Sequence, residues 1–592
     1  MMRAFLTSAV LFISACTSPT DYSVDPRDSA DALRDSGSPA TPATWTRGAM
    51  VSAANPHAVA AAAEILAKGG HAVDAAIAAH AVLGLVEPQS SGLGGSAFML
   101  VYDRASDSLV VYDGREMAPA GATADMFMRD GAPMGFLDTW QSGFGVGVPG
   151  TVALYQLAHD AYGKLPWADL YQAAIELATD GFEVSPRLHN WLTRVRKMVN
   201  LDHGPVMADY LYPNDQPLPV GFSRKNPEYA STLNRIATEG GGAFYSGPIA
   251  EAIAARAQAA PYPGSMSTVD IEKYEARTRD AICGAFRDDR ICSVPPPSSG
   301  VAHIMIAGLY DQLLQDANAS QADKIQLFVD AQRLAYADRD HFIADPDFVN
   351  VPVDALIDPQ YIAHRATERF APAAIPEHGD PAAVLKQSAT GWNQGADTTR
   401  EMVGTSHLSI IDVYGNAVSM TASVGAPFGS FRMTGGFLLN NQMSDFARNP
   451  TSNGQTVANV IAPGKRPRSS MSPTIIFDEN GELLMLTGSP GGNSIIAYTT
   501  KTILAVLDWG FSAQAAADFP NIIARGESVR VENSVEPGAQ IAADLAQRGY
   551  TVQERSGENS GVHIIVVHPD RLEGAADKRR EGTVQAVKEI NR

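Results

Sequence analysis

One short stretch of the chain could carry out chemistry on the chain itself. Gly404 and Thr405 stand just before the alternating run His407 to Asp412, which predicts a β-strand. A threonine hydroxyl is a weak nucleophile at neutral pH, but a threonine at a chain terminus carries its own α-amine as a general base. Glycine tolerates strained backbone, so Gly404 would ease a self-cleavage that exposes Thr405. The pattern is compatible with an N-terminal nucleophile, and an ordinary loop-to-strand junction is the alternative.

A glycine-rich turn further along the chain suits the same chemistry. Residues 488–492 have the sequence Gly-Ser-Pro-Gly-Gly and join an apolar strand, Leu483 to Thr487, to a helical pattern, Ser494 to Leu507. Backbone N–H groups at such a strand-to-helix turn bind anions and can stabilise an oxyanion. A second glycine cluster, Gly92 to Gly95, lacks the Lys-Ser/Thr ending of a phosphate-binding loop, and we interpret it as tight packing.

The elements that would position these residues change in type at Thr405. Before it, Pro56 to Val86 predicts two alanine-rich helices, and residues 150–345 are mainly helical. After it, the pattern predicts β-hairpins, of which His407 to Ala422 is the first. Residues 370–404 lack apolar periodicity, so we expect a long exposed stretch that could leave the site after a cut.

Charge and residue spacing argue against two classes of function, nucleic-acid binding and metal-dependent catalysis. The 592-residue chain has 45% hydrophobic residues, enough for a large core, and a formal net charge of -20. Nucleic-acid surfaces need clustered Lys and Arg, and the sequence has no basic run of that kind. Its 13 histidines include no His-x-x-x-His pair with an intervening Glu, and its 3 cysteines lack zinc-site spacing. We therefore expect neither a metal nor another cofactor.

The first residues predict export. A basic start, an apolar centre from Ala4 to Ile13 and a small-residue region that ends at Cys16 form a signal peptide over residues 1–16. The segment also resembles a bacterial lipobox, whose cysteine is lipidated; a plain secretory signal is the alternative. Thr17 after the cysteine favours the outer membrane. Residues 17–45 would be a flexible linker, and the protein would be periplasmic or outer-membrane-anchored in a Gram-negative bacterium.

The two remaining cysteines could form a disulfide. Cys283 and Cys292 flank the run Gly284 to Ile291, in which Asp288 and Asp289 make a plausible turn. The two side chains could therefore face each other across a β-hairpin and pair in an oxidising compartment. Two free buried thiols are the alternative, and we expect neither cysteine to be catalytic.

Motifs in order along the chain resemble those of one enzyme family. They are Gly69 to Ala76, Glu87 to Gly95, Asp113 to Pro119, Pro295 to Gly300, Leu438 to Phe446, Lys465 to Pro473, Gly488 to Gly492 and Gly574 to Asp577. From about Met50 to Gly582 the chain is similar to gamma-glutamyltransferases (gamma-glutamyltranspeptidases), which are N-terminal-nucleophile hydrolases. The resemblance implies an α/β fold, the four-layer αββα sandwich of those hydrolases.

The resemblance also implies a precursor that cuts itself between Gly404 and Thr405. A large subunit, 46–404, and a small catalytic subunit, 405–592, would then form a heterodimer. The hydroxyl of Thr405 would attack the γ-amide carbonyl of glutathione or another γ-glutamyl compound, and its own amine would move the proton. Water, an amino acid or a dipeptide would accept the acyl group, which makes the expected activity γ-glutamyl transfer or glutathione hydrolysis.

Donor-binding residues of the family can be carried over where the motifs match. Arg115, helped by the hydroxyls of Ser469 and Ser470, would hold the donor's α-carboxylate. Asp445 and Gln442 would receive its α-ammonium group. All five residues lie within the matching motifs.

Around the nucleophile the resemblance is incomplete. The N–H groups of Gly491 and Gly492 would form the oxyanion hole. The family usually places a threonine and then an asparagine on the nucleophile's hairpin, where this chain has Ser423 and Gly425. Ser423 keeps a hydroxyl that could hydrogen-bond Thr405. Gly425 lacks the side chain that contacts the donor amino acid in the family, so recognition of the α-ammonium group could be weaker or come from elsewhere.

Three functions remain open. The first is a γ-glutamyltransferase or glutathione hydrolase, which the retention of Arg115 and Asp445 favours. The second is a cephalosporin or glutaryl-type acylase on the same fold. The stretch Ala447 to Gly464 is short and has no aromatic residue, which predicts a reduced lid and an open site for bulkier acyl groups. The third is a binding lipoprotein that never matures, and the retention of Gly404 and Thr405 disfavours it.

Overall fold

The structure, a computed structural model, describes residues 45–46, 48–316, 318–389, 391–392 and 394–587. The predicted signal peptide 1–16, with Cys16, and the predicted linker up to residue 44 lie outside the described residues. Within the described ranges, no helix combines the length and the apolarity that a membrane crossing requires.

Two seven-stranded antiparallel sheets form the centre of the molecule. Sheet I carries Thr405, and its strands from edge to edge are Thr583–Val587, Ala49–Ala53, Gly404–Ile411, Ala417–Gly425, Ser96–Asp103, Ser108–Gly114 and Arg277–Asp280. The strands of sheet II, in the same sense, are Trp45–Thr46, Leu572–Ala576, His563–Val567, Leu483–Thr487, Thr474–Phe477, Asp289–Ser293 and Ile282–Phe286. The sheets face each other across buried apolar side chains such as Met50, Phe98 and Leu486.

Helices cover the outer face of each sheet. Those on sheet I are Pro56–Ala67, Ala72–Val86 and Thr151–Tyr162. Those on sheet II are Gly300–Leu313, Ile495–Leu507 and Ala513–Asp518, and Gln321–Phe342 packs outside the first of them. The predicted pair of helices over 56–86 is therefore confirmed, and so is the four-layer αββα sandwich.

Shorter elements surround these layers. The other α-helices are Phe136–Trp140, Gln172–Asp180, Pro186–Arg196, Pro205–Leu211, Pro227–Glu239, Gly242–Tyr245, Gly247–Ala257, Thr268–Glu272, Val353–Leu356, Pro359–Thr367, Pro381–Leu385 and Gly538–Gln547. Ile522–Arg525, Ser528–Glu532 and Val552–Arg555 form a three-stranded sheet. The two-residue strands pair as Met128–Arg129 with Ala132–Pro133, Phe182–Glu183 with Ser223–Arg224, Met433–Thr434 with Phe437–Leu438, and Thr451–Ser452 with Gln455–Thr456.

The strand that carries Thr405 is buried on both faces. Leu408 and Ile410 pack into the core beneath the helices of sheet I. Between them in the sequence, Ser409 points the other way and donates to His563 O of sheet II, 3.0 Å away. The alternation expected of a strand therefore places one face under helices and the other between the sheets, so the position of Thr405 is held by packing on both sides.

The two cysteines of the Ile282–Phe286 and Asp289–Ser293 hairpin lie directly opposite each other. Cys283 and Cys292 are register partners and form a disulfide. The turn between the strands consists of Arg287 and Asp288, one residue earlier than the sequence predicts. Because Cys292 is buried between the two sheets, the disulfide joins the edge strand of sheet II to the core.

Candidate active site

Thr405 lies at an irregularity in sheet I. It pairs with Ser423, Gly404 pairs with Gly425, and the register shifts between the two pairs. Such bulges are over-represented next to active sites. The N–H of Thr405 donates to Val403 O at 3.1 Å and closes a three-residue turn around Gly404. A Cβ on Gly404 would lie 2.6 Å from the carbonyl oxygen of Ala426, so only glycine fits this turn.

A single hydroxyl joins Thr405 to the carbonyl before it. Thr405 Oγ1 donates to Ser423 Oγ at 3.2 Å, and Ser423 Oγ donates to Gly404 O at 2.7 Å. The N–H of Gly425 donates to the same hydroxyl oxygen at 2.9 Å and orients it. Ser423 therefore polarises the carbonyl that Thr405 would attack and contacts the attacking oxygen as well.

Gly425, the departure from the family pattern, has no room for a side chain. Its φ is +93°, and a Cβ there would overlap Asn441 Oδ1 and lie 2.9 Å from Gln442 Cγ. Asn441 Oδ1 accepts from the N–H of Ala426 at 2.7 Å, and its Nδ2 has no hydrogen-bond partner among the described residues. The amide of Asn441 therefore occupies the space beside Gly425.

Gly425→Asn, which restores the family's residue, is expected to destabilise the protein by about 2 kcal/mol, in the range of an overpacked core. The reason is the overlap with Asn441. Thermal unfolding of the variant measures the effect, and Asn441→Ala in the same chain should recover part of the loss. A wild-type melting temperature for Gly425→Asn alone would show that the space is not filled as described.

The guanidinium of Arg115 is enclosed by acceptors. Its Nη2 donates to Asp445 Oδ2 at 2.7 Å and to the carbonyl oxygen of Arg468 at 3.0 Å. Its Nε donates to Pro467 O at 3.2 Å, and Nη1 lies 3.0 Å from Glu116 Oε1. Arg115 and Asp445 therefore pair with each other in the uncut chain, although they are predicted to bind the donor's carboxylate and ammonium groups.

Gln442 connects this cluster to the nucleophile. Its neighbours are satisfied when the amide oxygen accepts from Arg115 Nη1 and the amide nitrogen donates to Ser423 O at 3.0 Å and Glu116 Oε2 at 3.1 Å. With this bond, Arg115 donates to four acceptors, and Glu116 Oε1 lies 3.0 Å from Nη1 without a hydrogen bond to it.

The acidic side chains around Arg115 repel one another. Burial, with smaller contributions from Glu401 and Glu116 and against the opposing effect of Arg115, raises the pKa of Asp445 to about 7. Burial likewise raises the pKa of Glu116. In the part of the chain that the structure describes, no group of three or more His, Cys, Asp or Glu is placed to hold a metal ion.

The two predicted serines make different contacts. Ser469 Oγ accepts from the N–H of Met471 at 3.1 Å, which fixes the local turn. Ser470 faces the site: its N–H donates to Glu401 Oε2 at 2.7 Å, and its hydroxyl accepts from Arg339 Nη2 at 2.7 Å. Ser470 is therefore in contact with a carboxylate, but that carboxylate belongs to the chain itself.

Much of the stretch 370–404 is exposed, as the sequence predicts, but Asp397 near its end is buried. Asp397 Oδ2 accepts from Asn459 Nδ2 at 2.8 Å and lies 3.1 Å from Arg468 Nη2. Glu401 is buried as well. The segment has no apolar periodicity because its polar side chains, rather than apolar ones, find partners inside the protein.

The glycine turn lies under this segment. Gly491 has φ +138° and Gly492 has φ +57°. A Cβ on Gly491 would overlap the ring of Tyr498, and one on Gly492 would overlap the carbonyl oxygen of Glu401. The backbone just before Thr405 therefore passes directly over the turn that the sequence predicts to bind an oxyanion. The earlier cluster is also tightly packed, since a Cβ on Gly95 would overlap Ser423 O.

The stretch after Ala447 is folded against the site. It contains the hairpin of Thr451–Ser452 and Gln455–Thr456, and Asn459 Nδ2 donates to Asp445 O at 2.8 Å. The open site that this short stretch predicts is not seen in the uncut chain, where Thr405 is 2% exposed. Over Gly492 the cover is the backbone of Glu401 and Met402.

Several contact residues were not found from the sequence. The guanidinium of Arg580 donates to Thr405 O at 2.8 Å, and Glu401, Arg339 and Asn441 contact the site as described above. Arg580 follows shortly after the motif that ends at Asp577, and Glu401 precedes the nucleophile by four residues. Closeness in the sequence to a motif and to Thr405 is the signal that could have pointed to Arg580 and Glu401. An arginine or a glutamate at such a distance does not by itself indicate a contact.

Comparisons with known proteins find matches that extend over most of the chain. The family model described as Gamma-glutamyltranspeptidase matches residues 58–587. The glutathione hydrolase proenzyme of Bacillus subtilis (strain 168) is 33% identical over 552 residues, with 91% of each chain covered. The acylase ACY 1 proenzyme of Pseudomonas sp. (strain V22) is 33% identical and covers 92% of this chain and 94% of its own. The structure of the cephalosporin acylase from Bacillus halodurans aligns with a TM-score of 0.80 at 25% identity, over 93% of this chain and 98% of that one.

Proposed function

Because the chain belongs to the gamma-glutamyltranspeptidase family, we propose that it cuts itself at Gly404–Thr405 and then hydrolyses or transfers γ-glutamyl groups. Glutathione or a related γ-glutamyl amide is the donor. The observation that carries this proposal is the contact of one hydroxyl, that of Ser423, with both Thr405 Oγ1 and Gly404 O. The pairing of Arg115 with Asp445 beside it supplies a cation and an anion for an amino-acid-like donor.

Self-cleavage begins with attack of Thr405 Oγ1 on the carbonyl carbon of Gly404. The bond from that carbon to the Thr405 nitrogen breaks, an ester to Oγ1 forms, and the nitrogen takes the proton and becomes the α-amine. Ser423 donates to the carbonyl oxygen as it becomes negative. Water then cleaves the ester, which leaves a carboxylate on Gly404 and a free hydroxyl and amine on Thr405.

The same hydroxyl then acts on the donor. Thr405 Oγ1 attacks the γ-carbonyl carbon, its α-amine takes the proton, and the donor's amine leaves with a proton. The N–H groups of Gly491 and Gly492 receive the oxyanion once residues 401–404 no longer cover them. Water, or the amine of an acceptor, releases the γ-glutamyl group from the threonine ester and restores the enzyme.

An acylase acting on a donor without an α-amine is the second candidate. Two observations favour it: Gly425 lacks the donor-contacting side chain of the family, and acylases are among the relatives. Asp445 distinguishes the two functions, because a carboxylate that binds an ammonium has no use for a glutaryl donor.

The donor comparison tests this assignment. We expect kcat/KM for a γ-glutamyl anilide to exceed that for the glutaryl anilide, which lacks the α-amine, by about 10- to 100-fold. A hydrogen bond to a charged group contributes about 1.5–3 kcal/mol. Asp445→Asn should remove most of this preference. The matched anilides share a leaving group, so a difference in rate reports recognition of the acyl group.

The pH dependence gives a second readout. Asp445 must be ionised to bind the ammonium, and its pKa in the uncut chain is about 7. Withdrawal of Glu401 removes one cause of this raised pKa, so in the cut chain the preference should be present at pH 7 and above and be lost as pH falls below about 7. Equal rates for both donors at every pH would remove Asp445 from donor recognition and favour the acylase.

We also infer export and attachment through Cys16 to the outer membrane. The disulfide between Cys283 and Cys292 is of the kind that persists in oxidising compartments. Mass spectrometry of the mature N-terminus is the direct measurement, and we expect a lipid-modified cysteine. An unmodified N-terminus beyond Cys16 would point instead to a plain secretory signal.

A further inference from the structure

A carboxylate of the chain itself, that of Glu401, is held in the site by several hydrogen-bond donors. Glu401 accepts hydrogen bonds from Arg339 Nη2, from the N–H of Ser470 at 2.7 Å and from Asn493 Nδ2 at 3.3 Å. Its own N–H donates to Asn493 Oδ1 at 2.7 Å. Burial acts to raise the pKa of Glu401, but Arg339, Arg468 and Arg115 together lower it, so the carboxylate is ionised. This is a complete binding arrangement for a carboxylate.

Arg339 is held rigidly for this contact. It lies near the end of the helix Gln321–Phe342, and its side chain is 0% exposed. Nε donates to Ser299 Oγ at 3.0 Å, and Nη1 to Asp340 Oδ1 at 3.0 Å. Nη2 contacts Ser470 Oγ and Glu401. Fixed partners on the other nitrogens thus aim Nη2 at the carboxylate.

Cleavage would remove a hydrogen-bond partner from Arg339 but not from Arg115. The partners of Arg115 are Asp445, Glu116, Gln442 and two backbone carbonyls, none of which lies in the segment before Thr405. One carboxylate partner of Arg339, that of Glu401, lies in that segment, so cleavage can free Nη2 of Arg339 but removes no partner of Arg115.

Withdrawal of the segment would take the Glu401 carboxylate away from Arg339. The carbonyl of Glu401 lies over Gly492, so residues 401–404 must leave before an oxyanion can bind there. Arg339 would keep Asp340 but lose Glu401, which leaves Nη2 with Ser470 Oγ alone, and a buried donor that loses an acceptor is costly. An incoming carboxylate can take the hydrogen bonds that Glu401 gives up, including the N–H of Ser470.

We propose that Arg339 is a carboxylate-binding, specificity-determining residue of the donor site, and that Glu401 takes the donor's place there until the chain is cut. The ligand is the α-carboxylate of an amino-acid-like acyl donor. This inference rests on the proposed self-cleavage and acyl transfer, and adds the residue that selects a carboxylate.

Three anilides with the same leaving group isolate this contact. The γ-glutamyl anilide carries both the α-carboxylate and the α-amine, the glutaryl anilide only the carboxylate, and the 4-aminobutanoyl anilide only the amine. Arg339→Lys should raise KM for the two carboxylate donors by about 10- to 100-fold, as expected for a lost charged hydrogen bond. KM for the 4-aminobutanoyl anilide should change less than about twofold, because that donor has no group for Arg339.

Arg525→Lys is the matched control. Arg525 donates to Asp340 Oδ2 at 2.9 Å, so it shares a partner with Arg339, whereas the hydrogen bond to Glu401 comes from Arg339. We expect its effects on the three donors to be equal. If Arg339→Lys also affects all three donors equally, the role of Arg339 is structural and the inference is wrong.

A peptide experiment on the cut wild-type protein does not depend on how the variants fold or mature. The peptide Asp-Thr-Thr-Arg-Glu-Met-Val-Gly, which copies residues 397–404, should bind in calorimetry and compete with the donor. The same peptide with Glu401→Gln should bind at least about 10-fold more weakly. Equal binding of the two peptides, or no binding of either, would overturn the inference.

The outcomes separate the two proposals. A wild-type chain that stays in one piece contradicts the proposed function and removes the basis of the inference. A wild-type chain that cuts itself and hydrolyses the γ-glutamyl anilide, but whose peptide binding ignores Glu401, contradicts the inference alone. A cut chain that hydrolyses none of the anilides contradicts the proposed donor, and calorimetry with the two peptides still decides the role of Glu401.

Discussion

Thr405→Ala is expected to leave the chain as one uncut polypeptide with no measurable hydrolysis of a γ-glutamyl anilide. Alanine has no oxygen to attack the Gly404 carbonyl, and no nucleophile remains for the donor. Loss of a catalytic nucleophile typically lowers kcat by about 10⁶-fold. Denaturing electrophoresis should show one band for the variant and two for wild type, and sequencing of the smaller band should begin at Thr405.

Thr405→Ser is the matched control for this experiment. Serine keeps the hydroxyl next to Ser423, so the variant should still be cut and should retain activity, both at reduced rate. A wild-type protein that is fully active as a single band would contradict the mechanism. So would a smaller band that begins at any residue other than Thr405.

Local patterns were sufficient for the strand that carries Thr405 and for the helices that cover its sheet. The alternation after Thr405 predicts its strand because both faces of that strand meet apolar or hydrogen-bonding neighbours in a regular order. The alanine-rich run from Pro56 to Val86 predicts two helices because alanine is the strongest helix former. Cys283 and Cys292 could be related to each other because only a short hairpin separates them.

Contacts between distant parts of the chain could not be predicted in this way. Arg339, Glu401 and Ser470 come from a helix, an irregular segment and a loop, and only folding brings them together. The polar stretch before Thr405 was predicted to be exposed because periodicity reports apolar burial alone. Gly425 likewise indicated a missing side chain, and the structure shows that Asn441 fills the space.

The family motifs give candidate site residues but not the state of their hydrogen bonds. Arg115 and Asp445 lie together, yet each is the other's partner in the uncut chain. A motif records which residues meet in a fold, whereas maturation decides which of their hydrogen bonds are free. The uncut chain therefore combines an assembled site with a segment of its own that fills it.

Ser423→Ala is expected to slow self-cleavage by about 100- to 1000-fold. Ser423 Oγ donates to Gly404 O at 2.7 Å, and loss of one oxyanion donor typically costs about 2.7–4 kcal/mol. The hydroxyl also makes three neutral hydrogen bonds in the folded state, each of which contributes about 1 kcal/mol, so stability should fall by about 2–3 kcal/mol. The rate at which the uncut band disappears after purification measures the first effect, and thermal unfolding measures the second.

Two further variants decide whether the slower cleavage comes from this hydroxyl. Ser423→Thr, which has the residue type usual in the family, keeps the oxygen and should restore most of the rate. Ser419→Ala removes another buried hydroxyl from the same strand, one that donates to Thr487 O at 3.1 Å and does not contact Gly404. It should cleave at the wild-type rate. If Ser423→Ala also cleaves at that rate, the Gly404 carbonyl is polarised by another donor, and the contact of Ser423 with Thr405 has no part in maturation.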